Sequence, residues 1–484
     1  MKTYNNFING KWVTSNSKKT FESTNPSDQK DVLGSFQYST KEDVVEAVNS
    51  AFKAREKWAA TPAPSRGKIF YSVADKLESR KIEFRDIITR ETGKTLSEAA
   101  GEVDRAVNVI RFMAGEATRL AGETLPTQQE GTFAYTQRAP HGVVGIITPW
   151  NFPLGLASSK ITPALVAGNT VVFKPASTTP LISQMFIELL EESGIPEGVI
   201  NFVTGSGSVV GNEFANNEKI RAVSFTGSTQ VGMELGKVVS ARNGKIQAEM
   251  GGKNPFVVLP DADIELVVNN VMLSAFGECG QRCTATSRLI LHKDIAEQVT
   301  SRLIEETKKM VVGNPKNKNV DMGAVIDQNQ VNTYEKYIEK GVKEGAKLEI
   351  GGEVLNTEEY ENGNFVQPTI FTDVKTSMTI AQEEMFAPII AVIVVDSYEE
   401  ALQLSNDVTY GLSSSIYTNN LEKAFDYLDN VESGVSHVNM PSIYSEPHFP
   451  FGGMKNTTIG PREQGKAGVM FYSETRTLYV KHKI

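Results

Sequence analysis

The run Val143-Val144-Gly145-Ile146-Ile147, and after it Thr170-Val171-Val172-Phe173, decides how this chain folds. Val199-Ile200-Asn201-Phe202-Val203 and Ala222-Val223-Ser224-Phe225 repeat the pattern, with helical stretches between them such as 180 to 193, stopped by Gly194 and Pro196. Short β-prone runs alternating with helices predict a parallel α/β sheet. The alternation resumes after residue 254, where Pro255-Phe256-Val257-Val258-Leu259 and Ser287-Arg288-Leu289-Ile290-Leu291 read as strands. Helical periodicity follows through 294 to 310 and 327 to 344, so a second α/β unit is expected, joined to the first near Gly251-Gly252-Lys253. Outward from these, Ile8-Asn9-Gly10-Lys11-Trp12 carries an Asn-Gly hairpin signal. Residues 41 to 115 read as mostly helical. Tyr472 to Val480 suits an edge strand, and such an edge invites pairing with another subunit.

Composition bounds the function. A chain of 484 residues is long enough for two or more compact units with large cores. Its 40% hydrophobic and 22% charged residues are ordinary globular values. A formal charge of −9 and a pI near 5.4 give no basic footprint, which disfavours nucleic acid or an anionic membrane as partner. Two cysteines exclude a disulfide framework and suit a reducing, cytoplasmic setting. The N-terminus lacks the apolar core of a signal peptide, and no apolar run approaches the roughly 18 residues of a membrane span. The five histidines, at 141, 292, 437, 448 and 482, show no metal-ligand spacing, so no metal is expected. The absence of a Gly-x-Ser-x-Gly elbow argues against a serine hydrolase.

Six clusters carry chemistry. Cys283 stands in Gly280-Gln281-Arg282-Cys283-Thr284, polar surroundings with an adjacent cation, where a thiolate can persist and react. The residues alone also admit a small buried side chain on a helix shared with Cys279. Pro149-Trp150-Asn151-Phe152-Pro153 follows a strand, at the carboxyl end where α/β sheets hold ligands, and a side-chain amide there can donate to a developing oxyanion. It is equally the composition of a turn. Lys174 ends another strand, with Ser177 three residues on. Gly205-Ser206-Gly207-Ser208-Val209-Val210-Gly211 is one residue longer than the usual dinucleotide fingerprint, and Phe225-Thr226-Gly227-Ser228-Thr229 also runs from strand into helix, whose N-terminus presents amides to a pyrophosphate. Glu249-Met250-Gly251-Gly252-Lys253 sets a carboxylate beside two glycines, a mobile hinge from which it could act as general base with a pKa raised by burial. Glu384 precedes Phe386 by two residues, a spacing able to bind a sugar hydroxyl and shield a planar ring, or to end a helix.

Across nearly the whole chain, Pro149-Trp150-Asn151, Phe225-Thr226-Gly227-Ser228, Glu249-Met250-Gly251-Gly252-Lys253, Gly280-Gln281-Arg282-Cys283, Glu384-Met385-Phe386 and Pro450-Phe451-Gly452-Gly453 resemble the signatures of the aldehyde dehydrogenase superfamily. The resemblance implies a Rossmann-like cofactor-binding domain over 1–117 and 139–252, an α/β catalytic domain over 253–450, and a small β oligomerisation arm from 118–138 and 468–484. It implies Cys283 as nucleophile, Asn151 as oxyanion donor, Glu249 as base for hydrolysis, and Lys160 as a residue tuning the site. Cofactor contacts would come from Trp150, Lys174, Ser177, Gly207, Gly211, Gly227, Ser228, Met250, Glu384 and Phe386. Ser177 replaces the glutamate by which many NAD-preferring relatives repel a 2′-phosphate, so NAD or NADP is expected, with NADP tolerated. Ala387 stands where the family usually has glycine.

The segment from Gly280 to Arg288 resembles the subgroup oxidising 2-oxoglutarate semialdehyde (2,5-dioxopentanoate), and Arg282 could pair with a distal carboxylate or face away and bridge subdomains. Thr284 and Phe451 are further candidate substrate contacts. Aromatic or general aliphatic aldehydes are the alternative substrates; a CoA-acylating semialdehyde dehydrogenase or a catalytically silent homologue is a remoter alternative. Relatives assemble as homodimers or homotetramers, and the same is expected here.

Overall fold

The computed structural model describes residues 1–482. Its first sheet has eight strands in the order Thr458–Ile459, Lys245–Glu249, Ile220–Thr226, Val143–Ile147, Thr170–Lys174, Ile200–Phe202, Asn6–Ile8, Lys11–Val13. The five strands from Lys245–Glu249 to Ile200–Phe202 pair in parallel. The apolar runs of Val143–Ile147 and Val171-Val172-Phe173 are continuous because both faces are covered. Val144, Ile146, Val171 and Phe173 enter one core cluster, while Val143, Val172, Val223 and Phe225 enter another. The expected hairpin adds Asn6–Ile8 and Lys11–Val13 antiparallel at one edge.

A second sheet of seven strands runs Lys347–Ile350, Thr369–Thr372, Ile389–Val395, Thr286–His292, Asn254–Val258, Ser413–Tyr417, Val435–Val438. Only Lys347–Ile350 is antiparallel to its neighbour. Here too alternate residues serve opposite faces: Phe256, Val258, Leu289 and Leu291 on one, Val257, Ile290 and Ile416 on the other. Gly251, Gly252 and Lys253 link the two sheets. The chain then returns, since Thr458–Ile459 pairs antiparallel with Lys245–Glu249, opposing Thr458 to Glu249. That return was not anticipated from the sequence.

Four helices fill residues 41 to 116. The one that matters for the site is Leu96–Glu116, started by a capping box in which Thr95 and Glu98 satisfy each other's backbone amides. Ala99, Val103, Ala106, Ile110 and Met113 recur at helical spacing on its buried face. The closing segment forms Ser473–Lys481, which pairs along its whole length with Thr132–Pro140 and sits at the edge of a three-stranded sheet. Tyr479 on it is 70% exposed. Another three-stranded sheet, Thr3–Tyr4, Asp28–Gln37 and Thr20–Asn25, went unread in the sequence because Asp28, Lys30 and Asp31 interrupt any strand periodicity. The strand expected over 199 to 203 is trimmed to Ile200–Phe202. Among the described residues no helix is long and apolar enough to cross a membrane.

Candidate active site

Asn151 lies just beyond the carboxyl end of Val143–Ile147, in the loop that enters the helix Pro153–Val166. Pro153 takes the first helical turn, where its missing N–H costs nothing. The buried Glu102 carboxylate accepts the Leu154 and Gly155 amides at 2.9 and 3.1 Å, so an acid from another helix caps this N-terminus. Asn151 itself is buried, and its Nδ2 donates to the Gln281 carbonyl at 3.0 Å. That acceptor fixes which end of the amide is nitrogen. One N–H of Nδ2 remains for another acceptor.

Cys283 does not share a helix with Cys279. Glu278, Cys279 and Gly280 all take left-handed backbone angles, with φ of 53°, 57° and 64°, and break the chain into a tight turn after the helix Ile264–Phe276. Two consecutive non-glycine residues held this way store strain. The surrounding polar network holds them in place. Glu98 accepts the Glu278 amide at 2.6 Å, and Glu278 pairs with Arg282 at 2.5 Å and Lys94 at 3.3 Å. Lys94 in turn pairs with Glu102 at 2.7 Å. A chain of buried charges thus ties the cysteine loop to the loop of Asn151, with Phe152 lying against both Lys94 and Arg282. Cys279 is buried in the second core, its thiol donating to the Gly323 carbonyl. Cys283 instead faces a cavity of about 290 Å³.

The electropositive setting expected for Cys283 is not what the fold provides. Burial first, then Glu384 and Glu249, push its thiol up to about 12. Arg282 opposes them weakly, because its guanidinium is engaged by Glu278. The resting sulfur is therefore a thiol, and a base or a nearby positive charge must activate it.

Glu249 ends its strand on the cavity wall. Its Oε2 accepts from Thr458 at 2.7 Å, while Oε1 is buried with no partner among the described residues. Burial and the neighbouring Glu463 raise its pKa well above the ordinary carboxylate range. Glu463 also lines the cavity and pairs with Lys160, whose ammonium donates further to Ser224 at 3.0 Å. Lys160 is fully buried and is not part of the cavity wall; it stands behind Glu463. Nothing in the sequence marked Glu463, one acid among 58 Asp and Glu.

The two glycines after Glu249 stand where the site packs closely against the backbone. Neither adopts a positive φ. A Cβ on Gly251 would stand 2.4 Å from Glu384 Oε2, and one on Gly252 would stand 2.5 Å from the Cys283 carbonyl oxygen. They are glycines because two parts of the site press against this backbone.

Trp150, Gly227, Ser228, Met250, Glu384 and Phe386 share the cavity with Cys283. Phe386, at φ 53°, meets Trp150 edge to face with centroids 5.4 Å apart. Glu384 accepts the Gly252 amide at 2.9 Å and is raised to about 7 by burial. Ser228 caps the helix Thr229–Ala241 without using its hydroxyl, which leaves that hydroxyl and the first-turn amides for an anion. A backbone kept clear by Gly227 and Gly251, a free helix start and an acid beside an aromatic pair fit a nicotinamide dinucleotide. Lys174, Ser177, Gly207 and Gly211 lie outside this cavity, at the carboxyl ends of the neighbouring strands Thr170–Lys174 and Ile200–Phe202. Lys174 is buried, donates to the Pro175 carbonyl at 2.7 Å, and is lowered to about 8. Ser177 donates to the Gly205 carbonyl at 3.1 Å. Gly207 and Gly211 face open space.

Arg282, Thr284 and Phe451 all reach the cavity, as does Arg105 from the Leu96–Glu116 helix, a residue the sequence reading passed over. A thiol, an amide donor and a buried carboxylate in one cavity with residues that fit a nicotinamide are the groups needed by a dehydrogenase that works through a covalent acyl intermediate. Residues 12–478 match the aldehyde dehydrogenase family, and the chain belongs to it. It is 46% identical to an alpha-ketoglutaric semialdehyde dehydrogenase of Bacillus subtilis, over 99% of this chain and 98% of that one. A 2,5-dioxopentanoate dehydrogenase of Saccharolobus solfataricus is 40% identical over 99% of each. Among solved structures, a betaine aldehyde dehydrogenase from Staphylococcus aureus in complex with NAD+ superposes with a TM-score of 0.97 at 34% identity, covering 99% of this chain and 95% of that one.

Proposed function

We propose that this chain oxidises 2,5-dioxopentanoate, an acidic semialdehyde, to 2-oxoglutarate with NAD+ or NADP+. The observation that carries the reading is the meeting of Cys283, Asn151, Glu249 and two arginines in one cavity. The semialdehyde relatives named above support the choice of substrate.

Cys283 Sγ attacks the aldehyde carbon, and its proton passes to a base as the C–S bond forms. Asn151 Nδ2–H and the Cys283 backbone amide hold the oxyanion; one such donor contributes on the order of a hundredfold in rate. The bound dinucleotide supplies the hydride acceptor. Cys283 then carries the acyl group as a thioester. Glu249 Oε1 takes a proton from water, the resulting hydroxide adds to the acyl carbon, and the thiolate leaves, so two easier steps replace one hard one. Glu249 is also what separates this route from transfer to coenzyme A, which needs no water-activating base.

Glu384 would hold the nicotinamide ribose, Phe386 and Trp150 the ring, Ser228 and the Gly227 backbone the pyrophosphate, and Lys174 the adenosine ribose. Ser177 leaves a 2′-phosphate unrepelled. In this reading 1–117 with 139–252 binds the cofactor, 253–450 supplies the nucleophile, and the edge strand Ser473–Lys481 joins copies into a homodimer or homotetramer in the cytoplasm. The deciding experiment is an aldehyde panel assayed with both cofactors by reduced-nicotinamide absorbance. Higher kcat/KM on a neutral aliphatic or aromatic aldehyde than on 2,5-dioxopentanoate would sink the substrate assignment.

A further inference from the structure

We infer that Arg105, rather than Arg282, receives the substrate's carboxylate, an assignment that rests on the acidic semialdehyde reading above. Both guanidinium groups face the cavity that holds Cys283. They differ in what already neutralises them. Arg282 lies 2.5 Å from the Glu278 carboxylate and over the Phe152 ring, so its charge belongs to the network that fixes the cysteine loop. Drawing it toward a ligand would leave Glu278 short of a partner, and a buried carboxylate deprived of one is costly.

Arg105 has no such commitment. It donates Nη1 to the Ser445 carbonyl at 2.9 Å and Nη2 to the Gln464 side-chain oxygen at 3.0 Å, both neutral acceptors. Among the described residues no carboxylate forms an ion pair with it. A guanidinium has five N–H donors in a rigid fork; two are used here and three remain. It stays charged despite the burial that depresses its pKa, because arginine does not deprotonate in proteins. A largely desolvated cation with spare donors and no carboxylate paired to it is a built receptor for a carboxylate, which it can grip with two parallel bonds. The two contacts it does make also aim it, since Ser445 and Gln464 belong to segments that form the wall of the same cavity. Arg105 is therefore the specificity residue, and Arg282 a positioning residue for Cys283.

The test compares kcat/KM for 2,5-dioxopentanoate with that for 4-oxopentanal, an aldehyde of the same chain length that keeps the ketone and carries a methyl in place of the carboxylate, in wild type, Arg105→Met, Arg105→Lys and Arg282→Met. The readout is the ratio of the two values, because a folding defect lowers both and leaves the ratio unchanged. Arg105→Met is expected to reduce the ratio on the order of a hundredfold, mainly through KM, as loss of a charged bidentate contact does. Arg105→Lys keeps the charge but not the fork, and the expected fall is about tenfold. Arg282→Met should lower both values and move the ratio by less than about threefold. If Arg105→Met is too unstable to assay, Arg105→Lys decides alone. A preserved ratio in the Arg105 variants, or a larger fall in Arg282→Met, overturns the assignment while leaving the substrate reading in place. A wild type that takes both aldehydes equally overturns both.

Discussion

The carbonyl of Gln281 and the side-chain amide of Asn151, 130 residues apart in the chain, meet at 3.0 Å. One loop thereby sets the amide's orientation while its neighbour two residues on carries the sulfur. In the proposed mechanism the oxyanion donor and the nucleophile are thus registered to each other before substrate arrives, which is where electrostatic stabilisation of a developing charge is most effective.

Asn151→Ala should slow acyl-enzyme formation on the order of a hundredfold, with cofactor affinity nearly unchanged. Asn151→Asp should be slower still, because it offers no N–H to the oxyanion and faces a carboxylate to the Gln281 carbonyl. Rapid mixing that follows the first turnover of reduced cofactor measures this step. A burst as fast as wild type in Asn151→Ala would remove the amide from the mechanism.

Much of this was legible in the sequence, for identifiable reasons. Val143–Ile147 and Val171-Val172-Phe173 announce a doubly covered sheet because every residue in them is apolar or small. Asn151, Glu249 and Cys283 stand in short motifs whose neighbours are constrained by the same chemistry. Glu463 and Arg105 have no such neighbours. The first matters because it reaches Lys160 across 303 residues, the second because no carboxylate among the described residues pairs with it, and neither fact is local. The state of the Cys283 thiol was misread for the same reason: Arg282 is adjacent in sequence, yet its partner Glu278 lies one turn back. The carboxylates that raise the thiol come from Glu384 and Glu249, each distant in sequence.

Gly251→Ala and Gly252→Ala should differ although the residues are adjacent. At Gly252 the new methyl meets backbone, the Cys283 carbonyl oxygen at 2.5 Å, so the nucleophile's loop must shift. Overpacking of this kind costs about 1–3 kcal/mol, and kcat should fall with the melting temperature. At Gly251 the nearest obstacle is the tip of Glu384, which can rotate away, and the Tyr410 ring at 3.1 Å need give only a few tenths of an ångström. There the melting temperature should hold while cofactor Kd rises. Equal loss of stability in the two variants would contradict this reading.

Alkylation by iodoacetamide reads the thiolate directly. With the Cys283 thiol up at about 12, labelling of the resting enzyme should be slow at neutral pH and rise about tenfold per pH unit, and Cys283→Ala should abolish it, since Cys279 is enclosed. Glu384→Gln removes one of the two charges that raise the thiol, so it should speed labelling. Because Glu384 itself titrates at about 7, that acceleration should be clear well above pH 7 and fade below pH 6, where the wild-type acid is already neutral. An acceleration that is the same at every pH would show that Glu384 acts by some route other than its charge.

The pH dependence of turnover should report Glu249. As a base it must be ionised, and burial with Glu463 raises its pKa, so kcat should climb with pH well above the ordinary carboxylate range wherever deacylation limits the rate. Glu463→Gln removes the negative neighbour and leaves the Lys160 ammonium unpaired beside the site. Both changes favour the Glu249 carboxylate, so the rising limb should move to lower pH. Lys160→Met should move it the other way, since it deletes the cation that stabilises the ionised form. A limb shifted the same way by both substitutions would show that Glu463 and Lys160 act on Glu249 through packing and not through charge.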